Sequence, residues 1–463
     1  MEIRVRFAPS PTGHLHIGSL RTAIFNWLFA RHNNGKFLLR IEDTDLERSK
    51  QEYTDSILET FKWMRMDPDE PILVQSKRFK EHKKLAEELL KKGFAYKCYC
   101  VKRDEQEIEG SYSKYSGKCK NLTSQDNSVS FVIRFKIPND KTEISFNDLI
   151  HGKITFPLDQ FDDFVILRSD GTPTYNFVVV ADDIFMRISH IIRGEDHISN
   201  TPKQILLYNA IGVKSPEFAH VPSILNESGQ KLSKRDAAVS VIEYKKEGFL
   251  VDALFNYLVR LGWAHKDQEI FSREELITLF SLEHVGKSGS IFDIKKLEWL
   301  NGIYIRQKDS KELLKIIESD VNSDFRNKTS FFNNEQILKL IDLYKERSKT
   351  LLVLSEIIIL LIKLPANYEK SAINEFVTEK TIYYLKELIN ELKSINDWTE
   401  ATLSEKIKSL CKKLEIKLPN LAQPIRIALT GNITSPGVFE LLAVLSKDES
   451  INRLNAFLEF LKK

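Results

Sequence analysis

Residues 3–43 read IRVRFAPSPTGHLHIGSLRTAIFNWLFARHNNGKFLLRIED, and this stretch decides the fold. Ile3, Val5 and Phe7 alternate with Arg4, Arg6 and Ala8, the period of a β-strand. Pro9 and Pro11 stop it. Leu20, Ala23, Ile24, Trp27 and Leu28 then recur at helical spacing and run out at Asn33-Asn34-Gly35, a helix C-cap signal. KFLLRIED follows as a second strand. Strand, loop, helix, strand is a βαβ unit, so the spacing predicts parallel strands. The loop between them sits at the carboxyl end of the first strand, the edge where open α/β sheets bind ligands.

That loop, PSPTGHLHIGS, has Gly13 and Gly18 at the spacing of a phosphate cradle, but the Lys-Ser/Thr that should follow is replaced by Ser19-Leu20. Alone, it reads equally well as a tight turn. His14 and His16 have no carboxylate or cysteine beside them at ligand spacing, so metal binding is not the expectation there. The missing positive charge is expected from GQKLSKRDAA, which carries Lys231, Lys234 and Arg235 beyond a Gly229 hinge. A basic run of this kind is ordinarily a solvated loop. This one follows a strand of the same sheet, where lysines could meet a phosphate.

The chain of 463 residues has room for about three domains. A 42% hydrophobic and 29% charged composition is that of a globular protein, and a net charge of +3 neither demands nor excludes nucleic acid. The strand at the N-terminus leaves no signal-peptide pattern. TLLVLSEIIILLIKL (350–364) is too short and too interrupted to span a bilayer and reads as a buried helix, so no membrane partner is expected. Four cysteines in so long a chain suggest a reducing, cytoplasmic setting.

Residues 81–172 change character. FVIRFKI and DFVILRS look like antiparallel strands around the SDGTP turn, and the stretch reads as an insertion. The βα pattern resumes in ISHIIRGED, TPKQILLYNAIG and EFAHVPSIL. Beyond about 310 the periodicity is helical, as in EQILKLIDLYKERSKTLLVL and VTEKTIYYLKELINELKSI, and Thr402 with Glu405 fits a capping box. The expected division is a split α/β domain (1–80 and 173–228), the insertion (81–172), a loop-bearing segment (229–310) and an all-α region (311–463) with a boundary near 365.

HIGS and KLSKR, in this order and about two hundred residues apart, resemble the two signatures of class I aminoacyl-tRNA synthetases. PSPTGHLHIG, RIEDTD, PTYNF and RGED, with FNYLVRLGW, KLEWLNGIYI and QPIRIALTG further on, make the chain similar to glutamyl-tRNA synthetases of the bacterial type along its whole length. The resemblance implies a Rossmann-like catalytic domain with a parallel sheet, an inserted α+β acceptor-binding domain and an all-α anticodon-binding half. It also implies ATP-dependent joining of L-glutamate to tRNA(Glu) by way of glutamyl-adenylate, with Mg2+ accompanying ATP. A form that also charges tRNA(Gln), or an inactive tRNA-binding paralogue, is the alternative. A monomer is implied.

By the same resemblance His16, Gly18, Lys231, Ser233 and Lys234 attend ATP, with His16 and the two lysines catalytic. Arg6, Ala8, Ser10, Glu42, Tyr175 and Arg193 line the glutamate pocket: arginines for two carboxylates, an acid for the ammonium. Arg347 and the Thr434-Ser435-Pro436 segment match anticodon contacts. Cys98, Cys100 and Cys119 resemble a zinc knuckle whose fourth position is Asn121 here. A water or a nearby tyrosine completes the site, or zinc is lost.

Overall fold

A computed structural model describes residues 2–100, 115, 117–121, 129–232, 240–362, 364–365, 367–433 and 437–462. They fall into two compact units: Met1–Glu243 with Val251–Ile294, and Tyr244–Leu250 with Lys295–Lys463.

The first unit starts with the βαβ motif. Strand β1 (Arg4–Phe7) pairs in parallel with β2 (Lys36–Ile41), in register Arg4 with Lys36 and Phe7 with Leu39, and β2 pairs in parallel with β3 (Leu73–Val74). Val5, Arg6 and Phe7 are all buried, as in a parallel strand covered on both sides. Helix α1 (Ile17–His32) crosses between β1 and β2 and buries its five periodic apolar residues. It ends as the sequence suggests: Asn33 caps it and Asn34 turns left-handed at φ 52. Gly35 is required there, because a Cβ would stand 2.4 Å from the Ile3 carbonyl oxygen.

Helices α2 (Gln51–Trp63) and α3 (Phe79–Lys91) lead into 81–172. Here β4 (Ala95–Cys98), β5 (Val132–Phe135) and β8 (Val165–Leu167) form an antiparallel sheet, with β6 (Glu143–Asp148) and β7 (Gly152–Pro157) as a hairpin between the last two. The hairpin does not join that sheet. It extends β9 (His190–Gly194) and β10 (Glu217–Val221), giving the order β7-β6-β10-β9. β9 and β10 are parallel, with Arg193 opposite His220. Ser189, just before β9, donates its amide to the Arg4 carbonyl at 2.9 Å, which brings β9 alongside β1.

Helix α4 (Tyr175–Phe185) precedes β9. Helix α5 (Thr201–Ile211) follows it, with Pro202 in its first turn and Gly212 left-handed after its end, as read from the sequence.

The second unit is helical. The segment EQILKLIDLYKERSKTLLVL divides into helices Asn334–Lys345 and Leu351–Ile362. Ser348 donates its hydroxyl to the Tyr344 carbonyl at 2.9 Å, and Asn301 reaches the Lys349 carbonyl at 2.7 Å, which holds the break. The apolar helix is buried on one side only. Leu351, Leu354, Ile358 and Leu361 are interior, whereas Val353 and Leu360 are exposed. Thr402 is not a cap. Helix Glu400–Lys413 is capped by Thr399, and Thr402 lies in its first turn, donating its hydroxyl to Asp397 at 2.9 Å. Among the described residues no helix is long and apolar enough to cross a membrane.

Candidate active site

The carboxyl ends of β1, β2, β9 and β10 open into a cavity of about 480 Å3. Arg6, Ala8, Ser10, His16, Gly18, Glu42, Tyr175, Arg193 and Lys231 all line it. The residues expected at ATP and glutamate therefore converge on one cavity wherever they are described; Ser233 and Lys234 lie outside the described residues.

His16 is the N-cap of α1. Its Nδ1 accepts the Ser19 amide at 3.3 Å, which leaves the proton on Nε2, 3.0 Å from the Ser19 hydroxyl. The ring is therefore a neutral donor on the Nε2 side. Gly18 is fitted closely against it: a Cβ would sit 3.2 Å from Nδ1. The first turn of α1 carries no acid, so its amides present positive potential at the cavity edge.

The described residues on either side of 233–239 are both anchored. A turn over Asn226–Gly229, with Gly229 at φ 77, folds Lys231 back against Leu225. Lys231 Nζ lies 3.1 Å from Asp196. At the far end Ser240 forms an antiparallel bridge with His16, and the Val241 amide donates to the Leu15 carbonyl.

Deeper in the cavity the charges form a chain. Arg6 donates Nε and Nη2 to Asp183 at 3.0 and 3.3 Å. Asp183 also accepts Arg40 Nη1 at 2.6 Å, and Arg40 donates Nη2 to Glu42 Oε1 at 2.9 Å. All four residues are buried. Burial opposes the Asp183 charge, but Arg40 and Arg6 more than offset it and hold the carboxyl below its usual range. For Glu42 burial prevails and the carboxyl is raised despite Arg40.

Arg193 differs. Nε donates to His220 Nε2 at 3.1 Å and Nη2 to Thr201 Oγ1 at 2.7 Å, both neutral partners, while Nη1 is buried with no partner among the described residues. Burial lowers its pKa. Tyr175 OH meets His197 Nδ1 at 3.1 Å, and burial with the Arg193 charge pulls His197 down to about 4, so it stays neutral.

Sequence reasoning did not single out Arg40, Asp183, His197, Thr201 or His220. A signal was present for two of them. Arg40 stands inside the apolar run KFLLRI, and Asp183 inside FVVVADDIF; charges in such runs are buried and must be paired.

Cys98, at the end of β4, lies with Cys100 and Cys119, their sulfurs within 4.8 Å of one another. Cys100 and Cys119 sulfurs are 3.5 Å apart, and Cys98 Sγ is 3.2 Å from Tyr115 OH. Asn121 is exposed.

In the second unit Arg347 is exposed on the turn after helix Asn334–Lys345. Arg426 lies near enough that, after burial, the Arg347 charge is the main cause of its lowered pKa. Arg426 also donates to the Ile433 carbonyl at 3.3 Å, next to Thr434, Ser435 and Pro436, which lie outside the described residues.

Known proteins resemble this chain along its whole length. Residues 2–299 match the family described as tRNA synthetases class I (E and Q), catalytic domain, and residues 311–458 match an anticodon binding domain. The chain is 44% identical to a glutamate--tRNA ligase of Pelobacter propionicus over 100% of this chain and 99% of that one. It is 43% identical to that of Thermodesulfovibrio yellowstonii over 99% of each. A crystal structure of a glutamate tRNA ligase from Elizabethkingia meningosepticum, in complex with its amino acid, superposes with a TM-score of 0.90 at 32% identity, covering 100% of both chains. The chain belongs to the class I tRNA synthetases of the glutamate and glutamine branch, and within them to the glutamate--tRNA ligases.

Proposed function

We propose that the cavity activates L-glutamate with ATP and passes it to the 3′ end of tRNA(Glu). The observation that carries this reading is Arg193 Nη1, a buried N–H with no partner among the described residues, on an arginine that lines the cavity. The buried charges explain the choice of amino acid. Arg6 and Arg40 answer Asp183 and Glu42, leaving Arg193 with no carboxylate of the described residues in hydrogen-bond reach. Glutamate brings one net negative charge, which offsets that of Arg193. Glutamine would leave a buried cation uncompensated, which is costly.

In this reading Arg6 and Arg193 take the two carboxylates, with Ala8, Ser10 and Tyr175 shaping the wall. Arg40 occupies one oxygen of Glu42, and the other receives the ammonium. In the first step a glutamate carboxylate oxygen attacks the α-phosphorus of ATP and pyrophosphate leaves. His16 Nε2–H, the α1 amides around Gly18, Lys231, Ser233 and Lys234 meet the phosphates. Mg2+ enters with ATP and screens its charge. In the second step a terminal ribose hydroxyl of tRNA attacks the carbonyl carbon and AMP leaves. No strong base is needed; positioning and charge stabilisation suffice.

Residues 81–172 hold the acceptor end, 229–310 the second signature and the stem contact, and 311–463 the anticodon. Arg347 and Arg426, two like charges side by side, suit an anionic partner, and an arginine can read a base edge bidentately. We favour the form restricted to tRNA(Glu), acting as a cytoplasmic monomer; none of the four cysteines is disulfide-bonded. We also infer a zinc ion on Cys98, Cys100 and Cys119 with Tyr115 as the fourth, oxygen ligand. Tetrahedral thiolates about 2.3 Å from zinc stand roughly 3.8 Å apart, and the observed sulfurs fit that spacing.

The test is aminoacylation with labelled glutamate, offering tRNA(Glu) and tRNA(Gln) separately. Charging of tRNA(Glu) alone is expected, and Arg347→Gln should improve the use of tRNA(Gln). Charging of neither by folded, ATP-binding protein would reject the reading in favour of a tRNA-binding paralogue.

A further inference from the structure

We propose that Asp148 and His220 are positioning residues that aim Arg193 at the substrate carboxylate. This rests on the assignment of Arg193 as a glutamate ligand.

Three adjacent strands deliver the relay. Asp148 ends β6, His220 lies in β10 and Arg193 in β9, and the ladders set Asp148 against Phe218 and His220 against Arg193. All three side chains are buried. Asp148 Oδ2 is 2.7 Å from His220 Nδ1, and His220 Nε2 is 3.1 Å from Arg193 Nε.

Proton accounting fixes the tautomer of His220, whose Nε2 also lies 3.1 Å from the Thr201 hydroxyl. Arg193 Nε can only donate, so His220 Nε2 must accept. The imidazole is then neutral with its proton on Nδ1, given to Asp148. Asp148 can only serve if both oxygens accept, and they do. Oδ1 takes the amides of Ile150 and His151 at 2.9 Å each, and Oδ2 takes the His220 amide at 3.1 Å beside the imidazole. An amide side chain could not fill that position, because its NH2 would face a donor on one side.

The opposite tautomer would set N–H against N–H at Arg193 and release the guanidinium. With Nε held by His220 and Nη2 by Thr201, Nη1 is left for a ligand. Burial keeps His220 below the usual histidine range, in line with a neutral acceptor.

The test titrates glutamate in aminoacylation at saturating ATP and tRNA, with melting of each variant followed in parallel. His220→Phe removes the acceptor where Phe146 and Phe218 rings already pack around the imidazole. It should raise the KM for glutamate on the order of tenfold, the worth of a hydrogen bond to a charged group, with the KM for ATP unchanged. His220→Gln, whose amide oxygen can stand near the Nε2 position, should restore most of the loss.

If His220→Phe does not fold, Asp148→Asn decides. It should raise the KM for glutamate in the native background and add nothing in the His220→Gln background, where there is no tautomer to set. Equal effects in both backgrounds, an unchanged KM for glutamate in a folded His220→Phe, or a parallel rise in the KM for ATP would reduce the pair to a structural hydrogen bond and overturn the proposal. Arg193→Gln separates the two ideas. If it leaves the KM for glutamate unchanged, the assignment of Arg193 itself fails. If it raises that KM while His220→Phe does not, only the relay fails.

Discussion

Asp183 grips Arg6 with both of its oxygens, Oδ1 to Nε at 3.0 Å and Oδ2 to Nη2 at 3.3 Å, out of contact with water. The guanidinium is thus oriented before any amino acid arrives, and Arg40 shares the same Oδ1. Asp183→Asn would leave two buried cations without their shared anion. Breaking a buried pair from one side costs about 3–5 kcal/mol, so urea denaturation should show a loss of that order. A loss within about 0.5 kcal/mol, the range of a surface change, would mean the chain of charges is not holding the fold.

At Gly18 the expected effect is on catalysis alone. Gly18→Ala puts a methyl 3.2 Å from His16 Nδ1, and the ring must give way. The alanine backbone itself is unstrained in a helix. Melting should be nearly unchanged while kcat/KM for ATP falls about tenfold, the equivalent of one displaced hydrogen bond. A variant as active as wild type would show that His16 does not act from its observed place.

Acid should loosen the first unit before carboxylates titrate. His190, His197 and His220 are all held below the usual histidine value, His197 at about 4, with burial the leading cause for each. Unfolded, they take up protons near pH 6.5. The unfolded chain therefore binds more protons as pH falls from about 6.5 toward 4, and stability drops across that window and is regained above it. Denaturant midpoints between pH 7.5 and 5 measure the slope. His197→Asn should flatten it, and a midpoint independent of pH would contradict the assignment.

The three-cysteine cluster is testable without any activity. Purified protein should carry one zinc per chain by metal analysis, lose it to a strong chelator, and melt at a lower temperature afterwards. Cys98→Ser should abolish the zinc and Tyr115→Phe weaken it. Zinc retained unchanged by Tyr115→Phe would move the fourth ligand elsewhere.

Much of this was legible in sequence because periodicity and turn chemistry are local. α1 ends at Asn33-Asn34-Gly35 and α5 between Pro202 and Gly212, as their residues dictate. What escaped is non-local. Nothing near Asp148 in sequence says that it will sit beside β10, and Asp183 is recognisable as a partner of Arg6 only once 177 residues of chain have folded between them. The pairing of Arg6 with Asp183 likewise cannot be seen from one strand. Thr402 was read as a cap because Thr399, three residues earlier, offers the same hydroxyl.

The hairpin β6–β7 has a consequence for modularity. It lies within 81–172, yet Asp148 and the edge of β10 belong to the catalytic sheet. Excising that stretch whole would strip a strand from β10, leave an open sheet edge prone to pairing with other chains, and take away the only carboxylate bonded to the His220 imidazole among the described residues. The cavity is not a free-standing core to which residues 81–172 were appended. A shortened version would have to keep residues 143–157, and a recombination breakpoint placed between 135 and 165 would be punished even where both parents charge the same tRNA.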